Sequence, residues 1–314
     1  MSSDSTPAGR CGENMRFFVI ALLVSSATFL SLNHSQAATR KPVSQHPAAP
    51  VSGMVVSTHP LYLIAQAVTK GIETPILLLP PNQSGHDVQL HPADRQRLKQ
   101  ANFVLWFGAQ YEAPLAAVLK NQANAIALFD LKAFKRLPLR NVQGQPFANS
   151  LDPHLWLEPA NAVGIAYAIA AVRSRQFPQY ASRYQHNTQA FGQRLMAQAN
   201  RYHSSLARPY WAYHDAYHYL ERSLSLTFKG SLTVEHDLPP TIRQLAWLQQ
   251  QRPQQKNGTI KPMCLLAEGH ADPATLKRLQ PIQVQTIDEI MSGQQDFVVG
   301  WQELAQDIVA CTRT

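Results

Sequence analysis

The sequence has few charged residues and very few cysteines, and both shortages weigh against whole classes of protein. Charged residues make up only 15% of the 314 positions, and the net charge of +8 comes from scattered basic residues. The small basic groups at 95–99 and 132–140 do not alternate with aromatic residues as a nucleic-acid-binding surface does. The 3 cysteines include no Cys-x-x-Cys pair, so neither a cysteine-based zinc site nor a redox site is supported.

The chain also lacks an apolar run long enough to cross a membrane comfortably. Arg16 precedes the apolar segment 17–24. Beyond this segment, polar residues such as Ser25 and Asn33 break up the apolar run, which ends with small residues at 35–38. A basic start, an apolar middle and a small-residue end are typical of a secretory signal peptide, which we predict over residues 1–37. The alternative, a membrane anchor, needs a longer run. No cysteine stands at the cleavage site itself, so a lipid anchor is not indicated either. Residues 38–53 are expected to form a linker.

The cysteines agree with export. Cys11 precedes the predicted cleavage site, which leaves Cys264 and Cys311 in the mature protein. An even pair in an oxidising compartment favours a disulfide, and the alternative is two buried free thiols. Closing a loop of that length would stabilise the fold by roughly 4 kcal/mol.

Short apolar runs alternate with helical patterns, which favours a parallel sheet covered by helices. The apolar runs lie at 54–56, 76–79, 103–107, 125–128, 210–213, 263–267 and 282–285, and helical patterns lie at 60–70, 92–100 and 112–120. Residues 178–206 carry one apolar face, consisting of Tyr180, Tyr184, Phe191, Leu195, Tyr202 and Leu206. We therefore predict an α/β fold with two lobes, 54–177 and 208–314. Each lobe is a parallel sheet with flanking helices, and one long rigid helix at 178–207 joins them.

Three histidines each have a carboxylate within two residues. They lie in Gly85-His86-Asp87, Asp152-Pro153-His154 and Tyr213-His214-Asp215. Together with Asp288, they are expected beyond the carboxyl ends of strands, where open α/β sheets bind ligands. Three imidazoles gathered there would suit zinc, and the alternative is three unrelated surface histidines. Asp87 and Asp215 are candidates to hold the second nitrogen of an imidazole.

These motifs resemble the metal-binding subunits of ABC importers for zinc and manganese, especially the ZnuA-like periplasmic zinc-binding proteins. The resemblance runs from about residue 55 to residue 311. The matching segments are 85–87 with 90–94, 152–159, 214–217 and 286–288. The resemblance implies metal ligands at His86, His154 and His214, with Asp288 at the carboxylate position. It also implies a disulfide between Cys264 and Cys311.

The function implied by the resemblance is high-affinity capture of Zn²⁺ in the periplasm and delivery to an ABC-type membrane permease. The protein would be a monomer and would not be an enzyme. A manganese-binding subunit and a metal-dependent adhesin are alternatives. A secreted zinc hydrolase is a further alternative, with Glu158, Glu268 or Glu289 as its base, but the sequence has no His-Glu-x-x-His helix.

Three departures from the family pattern affect these expectations. Zinc-specific relatives often carry a His-rich loop before the second ligand, whereas residues 132–151 contain no histidine, so metal loading is expected to differ. Glu289-Ile290-Met291 replaces the usual Pro-Leu-Gly after Asp288, and Gly269-His270 replaces Pro-Gln after Glu268. His59, His236 and His270 are candidates for a weaker second metal site, and His218, four residues after His214, is a candidate for an additional ligand of the cluster.

Overall fold

A computed structural model of the protein describes residues 53–234, 239–253, 260–269 and 271–313. The predicted signal peptide, nearly all of the predicted linker, His236, His270 and the side chain of Asp87 lie outside the described residues. In the part of the chain that is described, no helix combines the length and apolar composition needed to cross a membrane.

The first lobe is a four-stranded parallel sheet flanked by helices. Its strands are β1 (Met54–Val56), β2 (Ile76–Leu77), β3 (Phe103–Trp106) and β4 (Ala125–Ala127), and its helices are α1 (His59–Thr69), α2 (Pro92–Gln100) and α3 (Ala113–Leu119). The strand order is β2-β1-β3-β4, and Val55 pairs with both Ile76 and Val104. Every residue of β1 and β3 is buried, as central strands of a doubly covered parallel sheet must be.

Two helices, α4 (Pro159–Gln176) and α5 (Ala181–Tyr202), connect the lobes. The two helices pack so closely at Gly192 of α5 that an added Cβ atom would lie only 3.3 Å from the side chain of Val163 in α4. The 22 residues of α5 span about 33 Å. The predicted helix at 178–206 is therefore too long: Leu206 lies in the loop after α5 and is 75% exposed instead of lying on the apolar face.

The second lobe repeats the strand arrangement of the first. Its strands are β5 (Arg208–Ala212), β6 (Leu226–Ser231), β7 (Met263–Ala267) and β8 (Ile282–Thr286), and its helices are α6 (Glu221–Leu224), α7 (Ile242–Gln250), α8 (Pro273–Arg278) and α9 (Phe297–Thr312). The order is β6-β5-β7-β8, and all pairs are parallel. The prediction of two parallel α/β lobes is confirmed. In both lobes the strand order reverses beside the first strand, where such sheets form ligand crevices.

The two lobes share one continuous hydrophobic core. Its buried residues come from both sheets and from the helices between them, and include Met54, Trp156, Leu195, Leu266 and Trp301. Two tryptophans also hydrogen-bond across the lobes. The indole of Trp156 donates to the carbonyl of Glu289 at 2.8 Å, and that of Trp301 donates to the carbonyl of Leu157 at 3.0 Å. This joint restricts how far the lobes move apart.

The predicted disulfide between Cys264 and Cys311 is confirmed. It ties β7 to α9 with a Cα–Cα distance of 5.4 Å and closes a loop with a sequence separation of 47 residues. Both cysteines are buried. The bond therefore fastens the C-terminal helix to a central strand of the second sheet.

Replacing Cys264 by serine should lower the free energy of unfolding by about 2–5 kcal/mol, because the unfolded chain then regains the freedom of the closed loop. Denaturant unfolding measures the loss. Cys311→Ser is the matched control and should cost a similar amount, as should both substitutions together. Two reactive thiols in the denatured, unreduced wild-type protein would contradict the bond.

Candidate metal centre

The three histidines predicted as ligands come together in the structure. The ring centroids of His86 and His154 are 6.1 Å apart, and those of His154 and His214 are 6.0 Å apart. The chain carries them after β2, after β4 and directly after β5, so they come from both lobes. Residues that are 68 and 60 positions apart in sequence thus form one cluster beyond the carboxyl ends of the strands.

His86 lies on a short 3₁₀ turn, Gly85–Asp87, and is the exposed member of the cluster. The backbone nitrogen of His86 donates a hydrogen bond to the hydroxyl of Ser84 at 3.3 Å. The imidazole meets the ring of Tyr111 edge-on at 4.8 Å. Glycine is required at position 85, because a Cβ atom there would lie 2.4 Å from the Tyr111 ring. A tight turn against an aromatic wall therefore presents His86 to the cleft.

His154 is buried, and Asp152 fixes its ring. The Nδ1 atom of His154 lies 2.8 Å from Oδ1 of Asp152, which leaves Nε2 as the nitrogen for a metal ion. Burial lowers the pKa of His154, but the hydrogen bond and charge of Asp152, with smaller contributions from Glu289 and Asp215, outweigh it and raise the pKa above 6.5. Asp152 was not predicted in this role, although it stands only two residues before the histidine.

His214 meets a carboxylate that the sequence did not single out as a ligand. Its Nε2 atom lies 3.1 Å from Oε1 of Glu268, the residue that follows β7. One nitrogen of His154, one of His214 and one oxygen of Glu268 all lie within 4.8 Å of one another. Zinc bonds of about 2.1 Å place neighbouring ligand atoms roughly 3.5 Å apart, so small side-chain movements would bring these three atoms to bonding distance.

A second carboxylate, that of Glu289, is buried beside the cluster. Burial raises its pKa to about 7, although the charge of His154 acts in the opposite direction. Burial, followed by the charges of Glu289 and Asp288, raises the pKa of Glu268 well above 4.5. A bound cation would be favourable here, because its charge would stabilise the ionised forms of both Glu268 and Glu289.

The carboxylate of Asp288 is directed elsewhere. Its Oδ2 atom accepts hydrogen bonds from both the backbone nitrogen and the hydroxyl of Ser292, each at 2.7 Å. The residue is exposed and lines a depression together with Glu303 and Asp307. Its carboxylate does not join the group formed by the two histidines and Glu268, and its role as a ligand stays a prediction. Met291, three residues on, adopts a φ of 56°, in the left-handed region that favours glycine.

The other described histidines have different surroundings. His59 is buried, and its Nδ1 atom lies 3.3 Å from the carbonyl oxygen of Ile290 in the opposite lobe. His218 faces Asp152 with an Nδ1–Oδ2 distance of 3.9 Å. His91 caps the N-terminus of α2. The contact of His59 links the two lobes, and a role of these histidines in metal binding stays a prediction.

Two parallel α/β lobes with a shared core, and a group of imidazoles and carboxylates where their strands end, define a two-lobed metal-binding protein. Residues 54–300 match the family described as the periplasmic component A of the zinc-uptake complex, ZnuA, and the chain belongs to this family.

Two relatives agree with this assignment, and a solved structure has the same fold. The chain is 27% identical over 299 residues to the high-affinity zinc uptake system protein ZnuA of Yersinia pestis, covering 83% of this chain and 92% of the relative. It is 26% identical over 270 residues to the protein of the same name from Brucella abortus, covering 72% and 79%. A crystal structure of ZnuA matches with a TM-score of 0.67 at 19% identity, covering 83% of this chain and all of the other.

Proposed function

We propose that this protein captures one zinc ion in the periplasm with high affinity and delivers it to an ABC-type membrane permease. The observation that carries the proposal is the cluster of His86, His154 and His214, with a carboxylate in contact with the last of them. Zinc is the cargo, so the site must bind it tightly and then release it when the permease docks. The protein would be exported through its signal peptide and would act as a monomer.

The donor set supports zinc over manganese. Imidazole nitrogen suits zinc, whereas manganese prefers a site dominated by oxygen. Affinity for nitrogen ligands also rises from manganese to zinc along the divalent series, so competition at equal concentrations should favour zinc. The hydrogen bond that Nδ1 of His154 donates to the Asp152 carboxylate makes Nε2 a stronger metal ligand and strengthens this preference.

We assign His86, His154 and His214 as ligands and propose Glu268 as the carboxylate that completes the set. Glu268 already contacts His214, whereas the carboxylate of Asp288 accepts two hydrogen bonds from Ser292. A bound metal ion would lower the raised pKa of Glu268, because its positive charge offsets the repulsion between the carboxylates of Glu268 and Glu289.

Replacing Glu268 by glutamine should therefore weaken zinc binding by roughly 10-fold or more, because a neutral amide is a poor substitute for a carboxylate ligand. The matched substitution, Asp288→Asn, should change the affinity by less than about threefold. Competition with a zinc chelator measures both constants. The reverse ranking would restore Asp288 as the fourth ligand and refute Glu268.

We propose capture rather than catalysis. A zinc hydrolase needs an open metal position for water and a base beside it. Here three imidazoles and Glu268 would fill a tetrahedral set, which leaves no open position for water. Incubating the zinc-loaded protein with ester and peptide substrates should give no metal-dependent turnover.

A further inference from the structure

Residues 139–147, here called the strap, leave the first lobe and lie on the second. The strap is a tight hairpin in which the backbone nitrogen of Phe147 donates to the carbonyl of Leu139 at 2.8 Å. At its tip, the carbonyl of Val142 accepts a hydrogen bond of 3.0 Å from the backbone nitrogen of Ser231 at the end of β6. Gly144 has a φ of 85° and packs against the ring of Phe228. The strap occupies the stretch where no histidine is present, and it binds the second lobe instead.

Arg140 makes the charged contacts of the strap. Its Nε and Nη2 atoms donate to the two carboxylate oxygens of Asp215 at 2.7 and 2.8 Å, and its Nη1 atom lies 2.7 Å from Oε1 of Glu221. The guanidinium also stacks on Phe228, with its Cζ atom 4.2 Å from the ring centroid. The side chains of Arg140 and Asp215 are only 8% and 6% exposed. A bidentate, buried pair of this kind fixes both partners in position.

Asp215 directly follows His214 in a short turn. The residue before the histidine is anchored as well, since the backbone nitrogen of Tyr213 donates to the carbonyl of Leu266 at 2.7 Å. The turn closes with a hydrogen bond from Ala216 to the carbonyl of His214 at 3.0 Å. His214 is thus held between a sheet hydrogen bond on one side and the Arg140–Asp215 pair on the other.

We propose that Arg140 is a positioning residue for zinc: it reaches from the first lobe, holds Asp215 and thereby fixes His214 against Glu268. The strap would therefore hold in place a zinc ligand that belongs to the second lobe. This inference rests on the proposed assignment of His214 as a ligand.

Removing the charge of Arg140 and removing its positioning role should have opposite effects on zinc binding. The direction of the measured change therefore distinguishes the two. Removing the positive charge of Arg140 leaves Asp215 and Glu221 unneutralised near the cluster, and their field alone would strengthen cation binding. Loss of positioning would instead weaken binding and speed release. Only positioning therefore predicts faster loss of zinc from Arg140→Gln.

The test uses the full mature chain loaded with zinc and mixed with a fluorescent chelator. We expect Arg140→Gln to release zinc at least about 10-fold faster than the wild type, as for other residues that orient a metal ligand. Asp215→Asn should have a similar effect, and the double variant should release zinc no faster than either one alone. Arg140→Lys keeps the charge but loses the paired hydrogen bonds, so it should also release zinc faster.

Arg194→Gln is the matched control, because Arg194 makes an equivalent pair of hydrogen bonds to Asp296 on the exposed face of α5. It should leave release unchanged. The absorption spectrum of the cobalt-loaded protein should change for Arg140→Gln and not for the control. A loss of stability alone would leave the spectrum of the bound metal unchanged. Release that is unchanged or slower in Arg140→Gln would overturn the inference. If wild-type protein itself failed to bind zinc, the proposed function would fall instead.

Discussion

Replacing His154 by alanine should weaken zinc binding by well over about 10-fold, the largest effect that we expect from a single substitution. His154 stands between the other two histidines, with its ring centroid about 6 Å from each. Its ring is already oriented by Asp152, so zinc binding costs little additional ordering. Alanine removes the donor and leaves the buried carboxylate of Asp152 without that partner.

Chelator competition or calorimetry gives the affinity of each variant. His86→Ala and His214→Ala should each lose at least roughly 10-fold. His186→Ala is the control, since His186 is exposed on α5 and should have no effect. Unchanged affinity in all three cluster variants would remove the metal site from this cleft.

Acid should release the zinc, with the affinity collapsing between roughly pH 6 and pH 4. Metal binding competes with protons for the same imidazole nitrogens, and bound zinc holds their apparent pKa values below the ordinary 6.5. The metal-free protein favours the protons, because the Asp152 contact raises the pKa of His154 and burial raises that of Glu268. More than one proton should therefore be taken up for each zinc released. A titration in which the affinity is undiminished at about pH 4 would contradict a histidine-dominated site.

The same acid should not remove the contribution of His154 to the stability of the metal-free fold. The folded-state pKa of His154 is raised, so that contribution is fully present below the unfolded value of 6.5 and is lost as the pH rises through the folded value. Circular dichroism at the pH of release should show a folded protein.

The fold was largely predictable because the central strands β1, β3 and β7 are short, wholly apolar runs. The strands Met54–Val56 and Met263–Ala267 and the helix Pro92–Gln100 have the boundaries that the sequence predicts. The edge strand β6 was missed because Lys229 and Gly230 interrupt its apolar pattern. An edge strand is stabilised by its neighbour and by the strap, and neither appears in the local pattern.

The site was only partly predictable. The three histidines could be found because each stands beside a carboxylate after a strand or a turn, which is local information. The sequence does not show which carboxylate lies near the histidines, because this depends on side-chain contacts such as the hydrogen bond from the hydroxyl of Ser292 to Asp288. The pair of Arg140 and Asp215, 75 residues apart in sequence, has no local signal at all.

The central claim is that one chain holds one zinc ion in the histidine cluster. Native mass spectrometry of the mature protein with equal concentrations of zinc and manganese tests it most directly. We expect a single bound zinc ion that is lost in His154→Ala and retained in His186→Ala. Manganese in place of zinc, or a zinc ion that remains at full occupancy in His154→Ala, would contradict it.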